Sequence, residues 1–396
     1  VLLALYPASG QNAPNSRTEE IEAARLEKSR RLEPDVPPKP ERVLNYIKDK
    51  RIIERVFGGI AGPRVRLGGL ATGQGFAVGP EYVRRDLANE QIVFRASAIG
   101  SVKRAYLVDA EVDMPRLAGE HMFLNLYSAH RNLPQVQYYG PGPDSSAGGR
   151  SDYRLEDTDF SARFGVRPLR TLYLGALGGY TLVNVGPGTN PRFINTGDLF
   201  SEFQAPGVRQ QSDFLRGGGF LQVDYRDHPG GPRKGGNYLI QYSKYSDRKL
   251  RQFNFNRVEV ELQQYFSFLN ERRVIALRAR ADLTDAHRGN RVPFFFQPTV
   301  GGSNSLRGFR QWRFTDDNAL ILNGEYRWEV FSGMDMAIFA DAGKVFPRWE
   351  DLNFQELEAS LGFGMRFNIR NSVFLRIDTG FSHEGFQVWF KFNNVF

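Results

Sequence analysis

Cysteine is missing from all 396 residues. The chain therefore cannot build a disulfide framework, a thiolate nucleophile or a cysteine-ligated metal site. Long apolar runs are missing as well. Mean hydropathy is −0.43, and no stretch approaches the roughly 18 apolar residues that a helix needs to cross a bilayer. Catalytic patterns are equally scarce. No G-x-S-x-G elbow positions a serine nucleophile, and no H-E-x-x-H pair could hold zinc. The five histidines stand apart; His383-Glu384 has no further ligand at metal spacing. His287 beside Asp285 has the look of a hydrolase pair, but no nucleophile accompanies it, so it reads as a loop histidine. The glycine cluster "GGLATGQGFAVG" (68–79) lacks the lysine and the strand-to-helix context of a phosphate cradle. It suits a tight first hairpin and a weakly paired edge; "RGGGF" (216–220) reads likewise as a thinned or bent strand. Neither an enzyme nor a resident cofactor or metal is expected.

What is abundant points to β-structure. Glycine (41) and phenylalanine (32) together suit many tight turns and an aromatic surface. The net charge of +8 and pI near 9.6 could suggest a nucleic-acid partner. The basic residues, however, are scattered singly with carboxylates close by, as on one face of a sheet. No nucleic-acid partner is expected.

The first residues, "VLLALYPASG", read as the end of a secretory apolar segment followed by small residues, so residues 1–16 are assigned to a signal remnant and linker. "RTEEIEAARLEKSRRLEP" is helix-prone and is broken by "PDVPPKPE". "ERVLNYIKDKRIIERVF" then carries apolar residues at helical spacing. Residues 17–61 are expected to form a helical periplasmic leader, and residues 62–396 the main domain.

From about residue 63 the period changes from 3.6 to 2. In "LEASLGFGMRFNI", Leu357, Ala359, Leu361, Phe363, Met365, Phe367 and Ile369 alternate with polar residues and glycine. "ALILNGEYRWEV", "VFLRIDTGF" and "RVEVELQQYF" do the same. A soluble antiparallel sheet also alternates. These segments, however, run to about 10 residues or more, the length of a tilted membrane strand. Connections also alternate in length. Tight turns are expected at Arg167-Pro168, Asn270-Glu271, Ser332-Gly333 and Arg370-Asn371, with long loops over 131–150, 184–210 and 286–317. That asymmetry is typical of outer-membrane barrels. Counting gives about sixteen strands, starting near Val65, Phe76, Ile92, Val102, Glu120, Tyr153, Leu169, Phe214, Tyr238, Phe253, Val274, Leu320, Met334, Leu357, Val373 and Phe386. The expected fold is all-β: a transmembrane antiparallel β-barrel, closed because hydrocarbon cannot satisfy free backbone groups.

Within the 286–317 loop lies "GGSNSLRGFRQW" (301–312). Four features in order carry a family resemblance: "LRGF" with its "PFFFQPTVGGSNS" approach, "NGEYR" (323–327), "FADAG" (339–343), and the aromatic ending "FQVWFKFNNVF". The chain resembles the superfamily of outer-membrane assembly and transport barrels, which includes BamA-type insertases, bacterial surface antigens and two-partner-secretion transporters. The resemblance covers roughly 63–396. It implies that the loop carrying Leu306, Arg307, Gly308 and Phe309 folds back into the lumen. If Glu325 points inward, alternation gives Phe339, Asp341 and Gly343 the same face. Arg307 then needs a carboxylate, and Asp341 or Glu325 could receive its planar fork. Gly308 would permit close approach to the wall, and Phe309 could pack on Phe339. The ending, with Phe390, Phe392 and Phe396 facing lipid, resembles the family's own insertion signal, although Asn394 departs from it by being polar.

The resemblance further implies a bacterial outer membrane, with lipid and lipopolysaccharide around the barrel and client polypeptides templating on a weak seam between first and last strands. The patatin-type lipase domain of some relatives has no counterpart here. The leader is too short and too helical for a POTRA domain, so either a separate periplasmic protein supplies that role or the barrel does a narrower job. A passive outer-membrane pore with an open lumen is the alternative.

Overall fold

The computed structural model describes residues 17–30, 62–68, 70–71, 73–369 and 371–392. It contains two units, residues 1–46 and 47–396. In the first, Arg17–Arg30 forms an α-helix, while the second helical candidate lies outside the described residues. In the second unit, sixteen long strands follow one another: β1 (Gly62–Leu67), β2 (Ala77–Leu87), β3 (Ile92–Ser101), β4 (Tyr106–Leu117), β5 (Met122–Tyr138), β6 (Ser151–Leu169), β7 (Leu172–Pro187) and β8 (Asp213–Asp224). They continue as β9 (Gly235–Asp247), β10 (Phe255–Phe268), β11 (Arg273–Ala286), β12 (Asn318–Phe331), β13 (Met334–Phe346), β14 (Glu358–Ile369), β15 (Ser372–Ser382) and β16 (Gly385–Phe392). Each strand pairs antiparallel with the next, giving a nearly closed barrel.

Alternation in sequence becomes alternation of surroundings because successive side chains leave a strand on opposite faces. On β14, Leu361 (66%) and Phe363 (50%) are exposed on the outside, while Arg366 (1%) is buried inside. Ile338, Phe164, Leu277 and Phe390 are likewise exposed. Such a continuous apolar exterior belongs against hydrocarbon. Near the short-turn end, Phe268, Tyr326 and Trp328 stack in a row, an interfacial aromatic belt.

The connections sort by end. At one end they are 88–91, 118–121, 170–171, 225–234, 269–272, 332–333 and 370–371; at the other, 139–150, 188–212 and 287–317 are the long ones. Some expected boundaries shift. Arg167 and Pro168 lie inside β6, and the turn follows at 170–171. A register irregularity between Val166 and Leu169 accommodates the proline, which has no N–H to give a ladder. Leu169 therefore ends β6 instead of starting the next strand. Val102 is a 93% exposed turn residue, and β4 starts at Tyr106. The expected 131–150 loop is shorter, because β5 continues to Tyr138 before the chain turns.

The long loops meet over their end of the barrel. Phe294 from "PFFF" is buried among Tyr138, Tyr153, Val208 and Phe253, with its ring centroid 5.3 Å from Tyr138 and 4.7 Å from Tyr153. Phe296 lies 5.0 Å from Phe214 and 5.5 Å from Tyr245. Two rings of this aromatic roof, Phe296 and Tyr245, line a chamber of about 440 Å³ together with Arg66, Tyr127, Arg131, Asp157 and Arg216.

Face assignment predicts opposite outcomes for lysine at two nearby β6 positions. Phe164→Lys, on the exterior, should cost about 2–4 kcal/mol of folding in bilayers. Ser161→Lys, facing inward, should cost clearly less; denaturant titration in liposomes measures both.

Candidate functional site

Register sets the site. Asn323 on β12 faces Asp341 on β13, and Glu325 faces Phe339, so both carboxylates enter the interior from adjacent strands. The 287–317 loop drops Arg307 between them. Its Nε donates to Asp341 Oδ2 at 2.9 Å and its Nη2 to Asp341 Oδ1 at 2.6 Å. The backbone N–H of Arg307 also donates to Asp341 Oδ2, at 3.0 Å. Nη1 donates to Glu325. Both carboxylates thus share the guanidinium, one as a bidentate fork and the other at its free corner. Below it, the Phe339 ring centroid is 3.5 Å from the guanidinium carbon, a cation–π contact.

Glycines shape the seat. A Cβ on Gly308 would lie 2.6 Å from Phe381 O and from Ser360 Cβ, so only glycine lets the loop lie this close to the wall. A Cβ on Gly343 would meet Leu306 Cδ1 at 2.9 Å, and one on Gly362 would meet the Phe339 ring at 2.4 Å. On the neighbouring strand β15, where Gly380 pairs with Gly362, a Cβ on Gly380 would strike Arg307 O at 2.4 Å. Leu306 and Phe309 are fully buried with Val300, Phe314, Ala319, Ile321 and Val345. The expected Phe309–Phe339 contact is replaced. Phe309 meets Phe314 and His383, at 5.4 and 5.3 Å, because Arg307 itself occupies the face of Phe339.

The ion pairs extend beyond the residues expected from the motifs. Glu325 also accepts from Arg327 at 2.6 Å and Arg366 at 3.0 Å. Asp378 accepts from Arg366 at 2.5 Å and pairs with Arg376 at 2.9 Å. All these groups are buried, so each charge depends on its partners. Backbone oxygens help: Arg376 donates to Ser303 O at 2.6 Å and Arg278 to Asn304 O at 2.8 Å. Trp389 of β16 donates to Arg307 O at 2.7 Å, and Ser382 to Gly308 O at 2.9 Å. The alternation in "GMRFNI" and "LRIDTG" placed Arg366, Arg376 and Asp378 on the polar face. It carried no sign of which loop they meet.

On the last strand, Phe386, Val388 and Phe390 are exposed outside and Trp389 is buried inside. Phe392 closes the described strand; Phe396 lies outside the described residues. Among the described residues, no ladder rung joins β16 to β1, yet the two come together at one point. A Cβ on Gly68, just after β1, would lie 3.6 Å from Phe392 Cβ, and the Phe76 and Phe392 rings are 5.9 Å apart.

The Omp85 superfamily domain matches residues 95–383. The chain belongs to the Omp85 superfamily. Among solved structures, this Omp85 barrel is similar to BamA from Haemophilus ducreyi lacking POTRA domains 1-3 (TM-score 0.60, 12% identity), over 93% of this chain and 80% of that one. It is similar also to CdiB from Escherichia coli (TM-score 0.54, 14% identity), over 83% of this chain and 61% of that one. Identities this low carry the fold alone. No curated protein matches the chain.

Two outcomes test the site. Arg307→Ala, which leaves Asp341 and Glu325 short of a cation, should cost about 3–5 kcal/mol. Gly308→Ala should unseat the loop without removing any charge; both should expose residues 287–317 to protease on a barrel that still runs folded on unheated gels. At the root of the same loop, burial, with Asp317 and Asp351 nearby, pushes the Asp316 carboxyl up to about 6. The folded state then binds a proton that the unfolded state lacks between about pH 4 and 6, so this contribution to stability falls as pH rises through that window. Protection of the loop should be greater at pH 5 than at pH 7.5, and Asp316→Asn should remove the difference.

Proposed function

We propose that this Omp85 barrel resides in the outer membrane of a Gram-negative bacterium and inserts or translocates polypeptide there, using the junction of β1 and β16 as a lateral opening. The observation that carries the reading is the poverty of that junction. β1 has six residues and β16 eight, against up to nineteen elsewhere, and the described residues share no rung across it. Each backbone hydrogen bond contributes only about 0.5–1.5 kcal/mol net, so a junction with few of them opens at small cost. A client strand could then add to the exposed edge by β-augmentation.

In this reading Arg307, held by Asp341 and Glu325, is a brace. It fixes Leu306, Gly308 and Phe309 against β13–β16 and keeps the wall beside the opening in register while the seam parts. Phe339 and Gly343 complete that seat. Phe390, Phe392 and Phe396 would form the chain's own insertion signal, facing the bilayer. Lipid and lipopolysaccharide surround the barrel, residues 17–61 form a periplasmic leader, and a separate periplasmic protein delivers clients. The short-turn end is the periplasmic end. A passive pore is the second reading. The roof around Phe294 and the seated loop speak against it, since both occupy the path a solute would take.

The absence of cysteine makes the test clean. Gly68→Cys with Phe392→Cys places two Cβ atoms near the usual disulfide separation of about 3.8 Å. Oxidised protein in liposomes should lose its acceleration of the folding of a small outer-membrane barrel, or its passage of a secreted polypeptide, and reductant should restore it. Equal activity in both redox states would remove the seam from the mechanism. A large, steady single-channel conductance unaffected by the cross-link would favour the pore.

A further inference from the structure

At the short-turn end one connection is unlike its neighbours. Residues 225–234, "YRDHPGGPRK", join β8 to β9 where most other turns at that end need two to four residues. The segment does not hang free. Asp227 organises it, its Oδ1 accepting from the N–H groups of His228 and Arg233 at 2.9 and 3.1 Å. A turn closes from Gly231 N–H to His228 O at 3.0 Å. The folded connection then reaches the β14–β15 turn, although β10, β11, β12 and β13 stand between them along the wall. Val373 N–H donates to Gly230 O at 2.9 Å. His228 Nε2 and Asn371 Nδ2 are 3.0 Å apart.

A segment that leaves the wall at β9 and rejoins it at β15 is a chord across the opening. Two observations mark it as a fitted contact. A Cβ on Gly231 would fall 2.7 Å from the backbone oxygen of Asn371, so glycine is needed there; one on Gly230 would fall 2.5 Å from Ser372 Oγ, a hydroxyl that can turn aside. Arg233 is the second anchor. It grips Asp335 at 2.9 and 3.0 Å and donates to Glu271 O at 2.6 Å. Asp335 is in turn held by Asn368 at 2.7 Å. Between this chord and the ion cluster above lies a cavity of about 320 Å³, bounded by Val274, Arg327 and Arg366 on the barrel side and by Gly231 and Arg233 on the other.

We propose that residues 225–234 are a latch across the short-turn mouth, closing the interior below the Arg307 cluster, and that it must lift from β13 and β15 before any chain can enter from that end. This goes beyond the seam reading. It concerns access to the interior and holds whichever way the wall opens. The latch bonds to the start of β15, the strand next to the last, so lifting it also frees the β14–β15 hairpin, one strand away from the seam. Its anchors suit reversal: Arg233 on Asp335, Lys234 on Glu271 at 2.8 Å at the solvent edge, and a few backbone bonds, with no apolar core of its own.

The test uses single cysteines in the otherwise cysteine-free chain. Val274→Cys reports the cavity behind the latch, and Val292→Cys reports the aromatic roof at the opposite end; both sites are buried. Each is labelled with a water-soluble maleimide in folded, heat-modifiable protein in detergent micelles, with and without Gly231→Ala and Arg233→Ala together. Releasing the latch should raise the Val274→Cys rate about tenfold or more, as loss of a charged anchor implies, and leave the Val292→Cys rate unchanged. A Val274→Cys rate that does not move overturns the latch. So does an equal rise at both sites, which would mean general loosening. Neither rate depends on a client or on the seam.

Discussion

Hydrocarbon offers a peptide group nothing to bond with, so every strand in such a sheet must find a neighbour on both sides. Fifteen of the junctions in this barrel satisfy that demand with antiparallel ladders, some of them bulged. The sixteenth, between β16 and β1, is where the demand is least well met among the described residues. Strain of this kind has to be held by something else. The interior supplies it: a loop that hydrogen-bonds to β15 and β16 through Ser382 and Trp389 and to β13 through Asp341.

The ion cluster is suited to that task because it is expensive to break and indifferent to small movements outside. Burying four guanidiniums and three carboxylates brings a desolvation cost that only close pairing offsets, so such a cluster specifies geometry more than it adds stability. Arg307 satisfies two carboxylates on adjacent strands and stacks on the ring between them. Shifting β12 against β13 by one residue would turn Glu325 or Asp341 outward. The loop thus reads the register of the wall it rests on.

How much of this could be read in the residues themselves follows from what periodicity can and cannot carry. Alternation in "LEASLGFGMRFNI" and "ALILNGEYRWEV" is a local property, and it gave the strand number and the faces. Pro168 misled because proline normally ends a strand, whereas here a register irregularity absorbs it. Val102 misled because an apolar residue in a turn looks like the start of a strand. The four-motif order brought Arg307 to Asp341 and Glu325, which periodicity alone could not. Arg366, Arg376 and Asp378 were legible as inward residues, but their meeting with the loop depends on barrel curvature, a property of the whole sheet. Phe309 chose Phe314 over Phe339 for a similar reason: the cation had already taken the ring. The chord from Asp227 to Arg233 left only a run of Gly and Pro, indistinguishable from any turn.

The bond from the Trp389 indole to the Arg307 carbonyl has a consequence for the order in which the molecule comes together. Arg307 precedes its indole partner by 82 positions, and Gly308 precedes Ser382 by 74. The loop is therefore far along the chain from the surfaces that receive it, and it cannot settle until the final hairpin is in place. Docking of the tip and arrival of the C-terminal strands become one late kinetic event, whose entropic barrier is set by the long stretch of chain between them.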